Sequence, residues 1–175
     1  MDFKDVLTLR KTTRGYLPDQ ISESRLYEIL LAAQTAPLAT GDDQTTHLTV
    51  LQNPETMARI RKSCQLISRK TNKPLDPFYG APTVIFVSAT DLSEDHIEFS
   101  NVACVIENMI LAATNEGLGS TYIWGCLKKL RKDSETLKLL MIPEGYEILS
   151  AFAVGYPVKP LAPRKPREKM TVNRI

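Results

Sequence analysis

The strongest periodic pattern along the chain lies in residues 101–125, NVACVIENMILAATNEGLGSTYIWG. Val102, Val105, Ile106, Met109, Ile110 and Ala113 recur at helical spacing, and Ala103, Leu111 and Ala112 leave the opposite side apolar too. This predicts a buried central helix packed on more than one side. Asn115, Glu116 and Gly117 end it, with glycine in the position where helices close through a left-handed residue. Residues 118–125, punctuated by Gly119 and Gly125, read as a loop able to act through its backbone.

Around this helix the apolar pattern predicts a mixed set of elements. Asp2 is placed to cap a short helix with Phe3, Val6 and Leu7 facing inward, ending at Arg10-Lys11-Thr12-Thr13-Arg14. Ser22 caps a second helix with Leu26, Ile29, Leu30 and Ala33 on one stripe, and Pro37 ends it. Residues 38–46, LATGDDQTT, form a polar loop that either lines a site or is simply an exposed connection, and 48–51 a short strand. Pro54 opens a helix through Met57 and Ile60 as far as Ile67, after which 69–77 lacks periodicity, holds two prolines and is the segment expected to move. Residues 83–89, TVIFVSA, suit a strand covered on both faces. Asp95 and Glu98 stand at capping-box spacing before the central helix. After Gly125, the cations Lys128, Lys129, Arg131 and Lys132 lead to Asp133, a cap for a helix with Leu137, Leu139 and Leu140 that Pro143 and Gly145 end. A second buried-type strand, 147–154, closes at Gly155-Tyr156-Pro157.

Composition narrows the class. With 175 residues, 43% of them hydrophobic and 24% charged, the chain reads as one globular domain, 1–175, with a core of its own. No uninterrupted apolar run reaches about 18 residues, and Met1 is followed by Asp2. Neither a spanning helix nor a signal peptide is therefore expected, and the default location is cytoplasmic. Cys64, Cys104 and Cys126, with only His47 and His96 beside them, have no zinc-site spacing, so no metal is expected. Cys104 reads as a small buried hydrophobe and His96 as a surface residue. The net charge of +2 is uninformative, but the tail from 158 onward carries Lys159, Arg164, Lys165, Arg167, Lys169 and Arg174 against Glu168 alone. Such a tail could hold nucleic acid, although it lacks interleaved aromatics. The N-terminal cluster Arg10, Lys11, Arg14 is open to two readings: a phosphate cradle, or a solvated helix end whose cations offset the dipole.

Four segments together resemble one family, the FMN-dependent nitroreductases, over nearly the whole chain. Arg10-Lys11-Thr12-Thr13-Arg14 resembles the family's Arg-Arg-Ser-x-Arg stretch. Residues 32–44, AAQTAPLATGDDQ, are similar to its Ala-Ala-x-x-Ala-Pro-Ser-x-x-Asn-x-Gln segment with one extra residue. Residues 108–125 resemble its buried helix followed by Gly-Leu-Gly-Ser and the flavin loop, and Gly155-Tyr156-Pro157 with Lys165-Pro166-Arg167 its closing strand and Lys-x-Arg tail. The chain departs from the pattern at Leu38, where serine is usual, at Asp42, where asparagine is usual, and at Thr45-Thr46, where Pro-Trp often occurs.

The resemblance implies an α+β fold, a mainly antiparallel central sheet surrounded by helices, assembled as a homodimer with FMN at the subunit interface. It places Arg10, Lys11, Thr12 and Arg167, with Lys165 as a further candidate, around the FMN phosphate and ribityl chain. Arg14 is expected at the N1/O2 edge of the ring, Asp42 and Gln44 at the other subunit's cofactor, and Tyr122, Ile123, Trp124 and Gly125 beside the ring, with a backbone N–H of Trp124 or Gly125 directed at N5. The implied activity is ping-pong hydride transfer from NADH or NADPH through FMN to nitro-aromatic, quinone or related small acceptors. No protein nucleophile is needed, because the cofactor carries the redox chemistry. The alternative is an FMN-binding protein of the same fold with a sensing, storage or ring-modifying role. A nucleic-acid module resting on the basic tail is the third reading.

Overall fold

Residues 83–89 and 147–155 pair as the centre of a four-stranded antiparallel sheet in this computed structural model, which describes residues 1–68, 71–165 and 170–175. The strands are β1 (Thr46–Leu51), β4 (Thr83–Ala89), β5 (Gly119–Ile123) and β6 (Glu147–Gly155), in the order β1-β4-β6-β5. Every residue of β4 and all but the first of β6 are buried, as their unbroken apolar runs predict for strands covered on both faces. A bulge between Val87 and Ser88 shifts the β4–β6 register, so that Val87 faces Ser150 and Ser88 faces Ile148. β4 and β5 are both antiparallel to β6, so they run in the same direction. Helix α4 (Ile97–Asn115) is the crossover between them.

Helices cover both sheet faces. α4, with α2 (Glu23–Gln34) over it, buries Ile106, Met109 and Ala113 against Ile85, Val87, Phe152 and Val154. On the other face α3 (Pro54–Cys64), α5 (Leu127–Leu130) and α6 (Ser134–Leu137) cover Val84, Phe86, Ala151 and Ala153. α4 closes as expected, with Gly117 at φ +73° and Leu118 N–H donating to Ala113 O at 2.8 Å. By length and mean hydropathy of 1.3 it is apolar enough to cross a bilayer, but half of that stretch is buried inside this fold.

Several expectations are corrected. The Asp95/Glu98 capping box does not form, because His96, at φ +59°, is the N-cap residue and makes no side-chain cap. Glu98 instead reaches back to Ser93, accepting its N–H at 2.9 Å and its hydroxyl at 3.0 Å. The outer side of α4 is not enclosed within the chain: Ala103 is exposed, and Cys104, Leu111 and Ala112 are only half-buried. In α1 (Phe3–Leu9), Asp2 caps Lys4 N–H at 2.8 Å, yet only Val6 is buried, while Phe3 and Leu7 face outward. α3 stops at Cys64, and Leu66–Ile67 (β2) pairs with Pro74–Leu75 (β3) as a two-stranded ribbon. Of the segment expected to move, Arg69 and Lys70 lie outside the described residues. Residues 119–123 are a strand rather than a loop, with Thr121 and Ile123 buried on one face. The cationic stretch after Gly125 hides α5, whose Leu127 and Leu130 are fully buried.

Candidate functional site

The outer edge of β5 is covered by the segment that follows α1. Thr13 N–H donates to Ser120 O at 2.9 Å, and Thr12 bridges Ser120 in parallel, adding a rudimentary fifth strand. Gly119 makes this approach possible, since a Cβ there would lie 2.7 Å from the Thr13 side chain. The chain leaving β6 then runs along the other side of the same segment. Leu17 N–H donates to Tyr156 O, Val158 N–H to Gly15 O at 3.1 Å, Lys11 Nζ to Pro160 O at 3.1 Å and Arg164 Nε to Arg10 O at 2.7 Å. Behind it Tyr16 is buried with its hydroxyl 2.8 Å from Thr121 Oγ1 and 3.1 Å from Thr13 O. Burial pushes the Tyr16 phenol far above its ordinary range, so it stays a neutral hydrogen-bonding post.

Between these strands of chain lies a groove of about 440 Å³ lined by Lys11, Thr12, Thr13, Arg14, Gly15, Val158 and Lys159. Among the described residues, three cations and no carboxylate line it. The Thr13 hydroxyl is buried against Gly119 without a partner among the described residues. Such a set suits a phosphate dianion, which needs several charge-assisted donors. Arg14 is exposed at the rim, its guanidinium carbon 5.9 Å from the centroid of the Tyr79 ring.

The other expected site residues are distributed more widely. Arg10 is half-buried and does not line the groove; its carbonyl accepts from Arg164 instead. Lys165 is exposed and away from the groove lining, and Arg167 lies outside the described residues. Lys159, which the tail motif did not single out, lines the groove. In sequence it is one of six tail cations, and only its position just after Gly155-Tyr156-Pro157 sets it apart.

At the end of β5, Tyr122 donates to or accepts from Ser150 Oγ at 2.9 Å. Ile123 is buried in the core, leaving only its backbone available, whereas Trp124 is 61% exposed and Gly125 is exposed with open space where a Cβ would stand. Asp42 and Gln44 lie at the opposite edge of the sheet, just before β1. Asp42 Oδ1 accepts Gln44 N–H at 3.0 Å, and Gln44 O accepts from the Tyr146 hydroxyl. β1 and β5 are separated by three strand spacings, roughly 14 Å. One chain therefore does not bring Asp42 and Gln44 to the Lys11–Lys159 groove. Leu38, the departure from serine, packs against the core on the α4 side.

Two further features were not legible in sequence. Cys64 and Cys126 meet in the core, where a thiol–thiol hydrogen bond raises the Cys64 pKa and lowers that of Cys126. A cleft of about 610 Å³ lies beside α6 and the start of β6, lined by Arg131, Leu137, Met141, Ile142 and Tyr146 among others. It shares no residue with the cationic groove, and one face of its Arg131 is committed to Ile148 O at 2.9 Å.

Comparison with known proteins supplies independent information. The model of the nitroreductase family matches residues 7–156. A protein of Archaeoglobus fulgidus provisionally named NADH dehydrogenase/NAD(P)H nitroreductase is 26% identical over 150 residues, 85% of this chain and 81% of its own. Among solved structures, a Bacteroides fragilis nitroreductase with bound FMN superposes with a TM-score of 0.82 at 25% identity, covering 100% of this chain and 99% of the other. A Desulfitobacterium hafniense nitroreductase with bound FMN has the same fold, with a TM-score of 0.82 at 21% identity and 99% coverage of both chains.

Proposed function

The chain belongs to the nitroreductase family, and from that premise we propose that it is an FMN-dependent NAD(P)H oxidoreductase acting on nitro-aromatic, quinone or related small acceptors. The observation that carries this reading is the groove that Lys11, Arg14 and Lys159 line with no carboxylate among the described residues. When bound, FMN supplies the chemistry, taking a hydride from the nicotinamide donor and passing it to the acceptor in turn.

The residues of this chain bind and tune. Lys11 and Lys159, with the hydroxyl of Thr12, hold the phosphate by charge-assisted hydrogen bonds. Arg14, one residue beyond the buried Thr13, serves the pyrimidine edge, where two-electron reduction adds negative charge that a fixed guanidinium stabilises. The exposed backbone at Trp124 and Gly125 provides the N–H that meets the ring. Asp42 and Gln44 come from a second copy of the chain, because in one copy they stand at the far edge of the sheet. Lys165 and Arg167 remain candidates for outer phosphate contacts.

The placement is tested by titrating apoprotein with FMN. Lys11→Ala and Lys159→Ala are each expected to raise the FMN dissociation constant about tenfold, the lower end for a hydrogen bond to a charged group. Their thermal midpoints should stay near that of the parent, since Lys159 is exposed and Lys11 gives up a single solvent-exposed hydrogen bond, to Pro160 O. Unchanged affinity in both variants would place the phosphate elsewhere.

A further inference from the structure

Arg14 makes no side-chain hydrogen bond or ion pair with any described residue, yet a flexible guanidinium can stabilise a developing charge only if it is held in place before the charge arrives. Its cation–π partner among the described residues is the ring of Tyr79, with the guanidinium carbon 5.9 Å from the ring centroid. Tyr79 itself stands at φ +57°, a conformation that a bulky residue rarely adopts, and Gly80 follows at φ +85°. Strain of this kind persists only where the surroundings over-determine it.

Here the surroundings do so through one carboxylate. Asp76 Oδ1 accepts Phe78 N–H at 2.9 Å and Oδ2 accepts Gly80 N–H at 2.8 Å, bracketing Tyr79 on both sides. Arg61 pairs with Asp76, Nε to Oδ1 at 3.6 Å, and donates from Nη2 to Ala81 O at 2.7 Å. Phe78, fully buried and edge-on to Phe86, fixes the turn to the core. The turn is thus braced on its inner side and presents one aromatic face to the Arg14 guanidinium.

We propose that Tyr79 is a positioning residue for Arg14, its ring restraining the guanidinium by a cation–π contact so that Arg14 favours the reduced cofactor over the oxidised one. This rests on the reading of Arg14 given above. Tyr79 also packs against the core on the α3 side, so the inference concerns only the ring's contact with Arg14.

Tyr79→Asn removes the ring while retaining a residue tolerant of positive φ, so it is the variant of choice, with Tyr79→Phe as the control that keeps the aromatic face. The holoprotein's dissociation constants for oxidised and reduced FMN are compared by potentiometric titration. Tyr79→Asn is expected to weaken reduced FMN about two- to fivefold more than oxidised FMN, the range for an exposed cation–π contact, which lowers the midpoint potential by about 10 to 20 mV. Tyr79→Phe should match the parent, and Tyr79→Asn should have no further effect on the potential in an Arg14→Ala background. If Arg14→Ala shifts the potential and Tyr79→Asn does not, or if Tyr79→Asn shifts it equally without Arg14, the inference is overturned while the assigned function stands. A parent chain that takes up no FMN overturns both.

Discussion

At the residue scale, two glycines separate packing from ligand approach. A Cβ at Gly119 would sit 2.7 Å from both Thr13 Cγ2 and Thr13 Oγ1, so Gly119→Ala forces the groove segment off β5. It is expected to lose about 1 to 3 kcal/mol of stability, the usual cost of overpacking, together with FMN affinity. A Cβ at Gly125 meets nothing within the chain. Gly125→Ala should therefore leave stability within about 0.5 kcal/mol of the parent and weaken FMN alone, measured by thermal melts and FMN titration side by side. If Gly125→Ala binds FMN as the parent does, the ring does not pass there. The sequence made Lys11, Thr12 and Arg14 legible because three cations among hydroxyls form a compact signature. Lys159 was hidden, since what selects it from its tail neighbours is the Val158–Gly15 hydrogen bond, a contact between residues more than a hundred positions apart.

At the scale of elements, the long patterns were readable and the short ones were not. β4, β6 and α4 each carry enough consecutive apolar positions to be recognised, whereas the five residues of β5 look like a loop because their order comes from β6 and from Thr13 rather than from their own propensity. The start of α4 shows a related limit: the spacing of Asp95 and Glu98 was right for a capping box, but a left-handed His96 redirects the carboxylate to Ser93. Burial would raise the pKa of Glu98, but hydrogen bonds from its own backbone and from the Ser93 hydroxyl and N–H outweigh this and hold it below its ordinary value. The ionised form thus stabilises the fold, fully above about pH 4.3, the unfolded value, and progressively less as pH falls through the lower folded pKa. Glu98→Gln should be less stable than the parent at neutral pH and should lose less on acidification from about pH 5 to pH 3. Parallel melting-temperature profiles over that window would contradict the assignment.

At the scale of the whole molecule, the sheet puts the cationic groove and the Asp42–Gln44 segment on opposite edges, and the proposed site therefore draws on two copies of the chain. The apolar side chains left outside the core agree with that arrangement: Phe3, Tyr27, Leu31 and Phe99 are all 40% exposed or more, and Ala103 is exposed on the outer side of α4. Light scattering of the FMN-loaded protein at micromolar concentration is expected to give the mass of a dimer, and a loaded monomer would refute the two-copy site. The architecture was legible because helix and strand periods differ, while the expected placing of Asp42 and Gln44 at a second subunit's cofactor came from the family resemblance alone, because nothing in a linear pattern records which sheet edge a loop reaches. The central claim is that this chain binds FMN and turns it over with a nicotinamide donor. Anaerobic addition of NADH and of NADPH to the FMN-loaded protein tests it most directly. At least one donor is expected to bleach the visible flavin absorbance, and a quinone or nitro-aromatic acceptor to restore it. A flavin that stays oxidised with both donors would contradict it and leave an FMN-binding protein without this turnover.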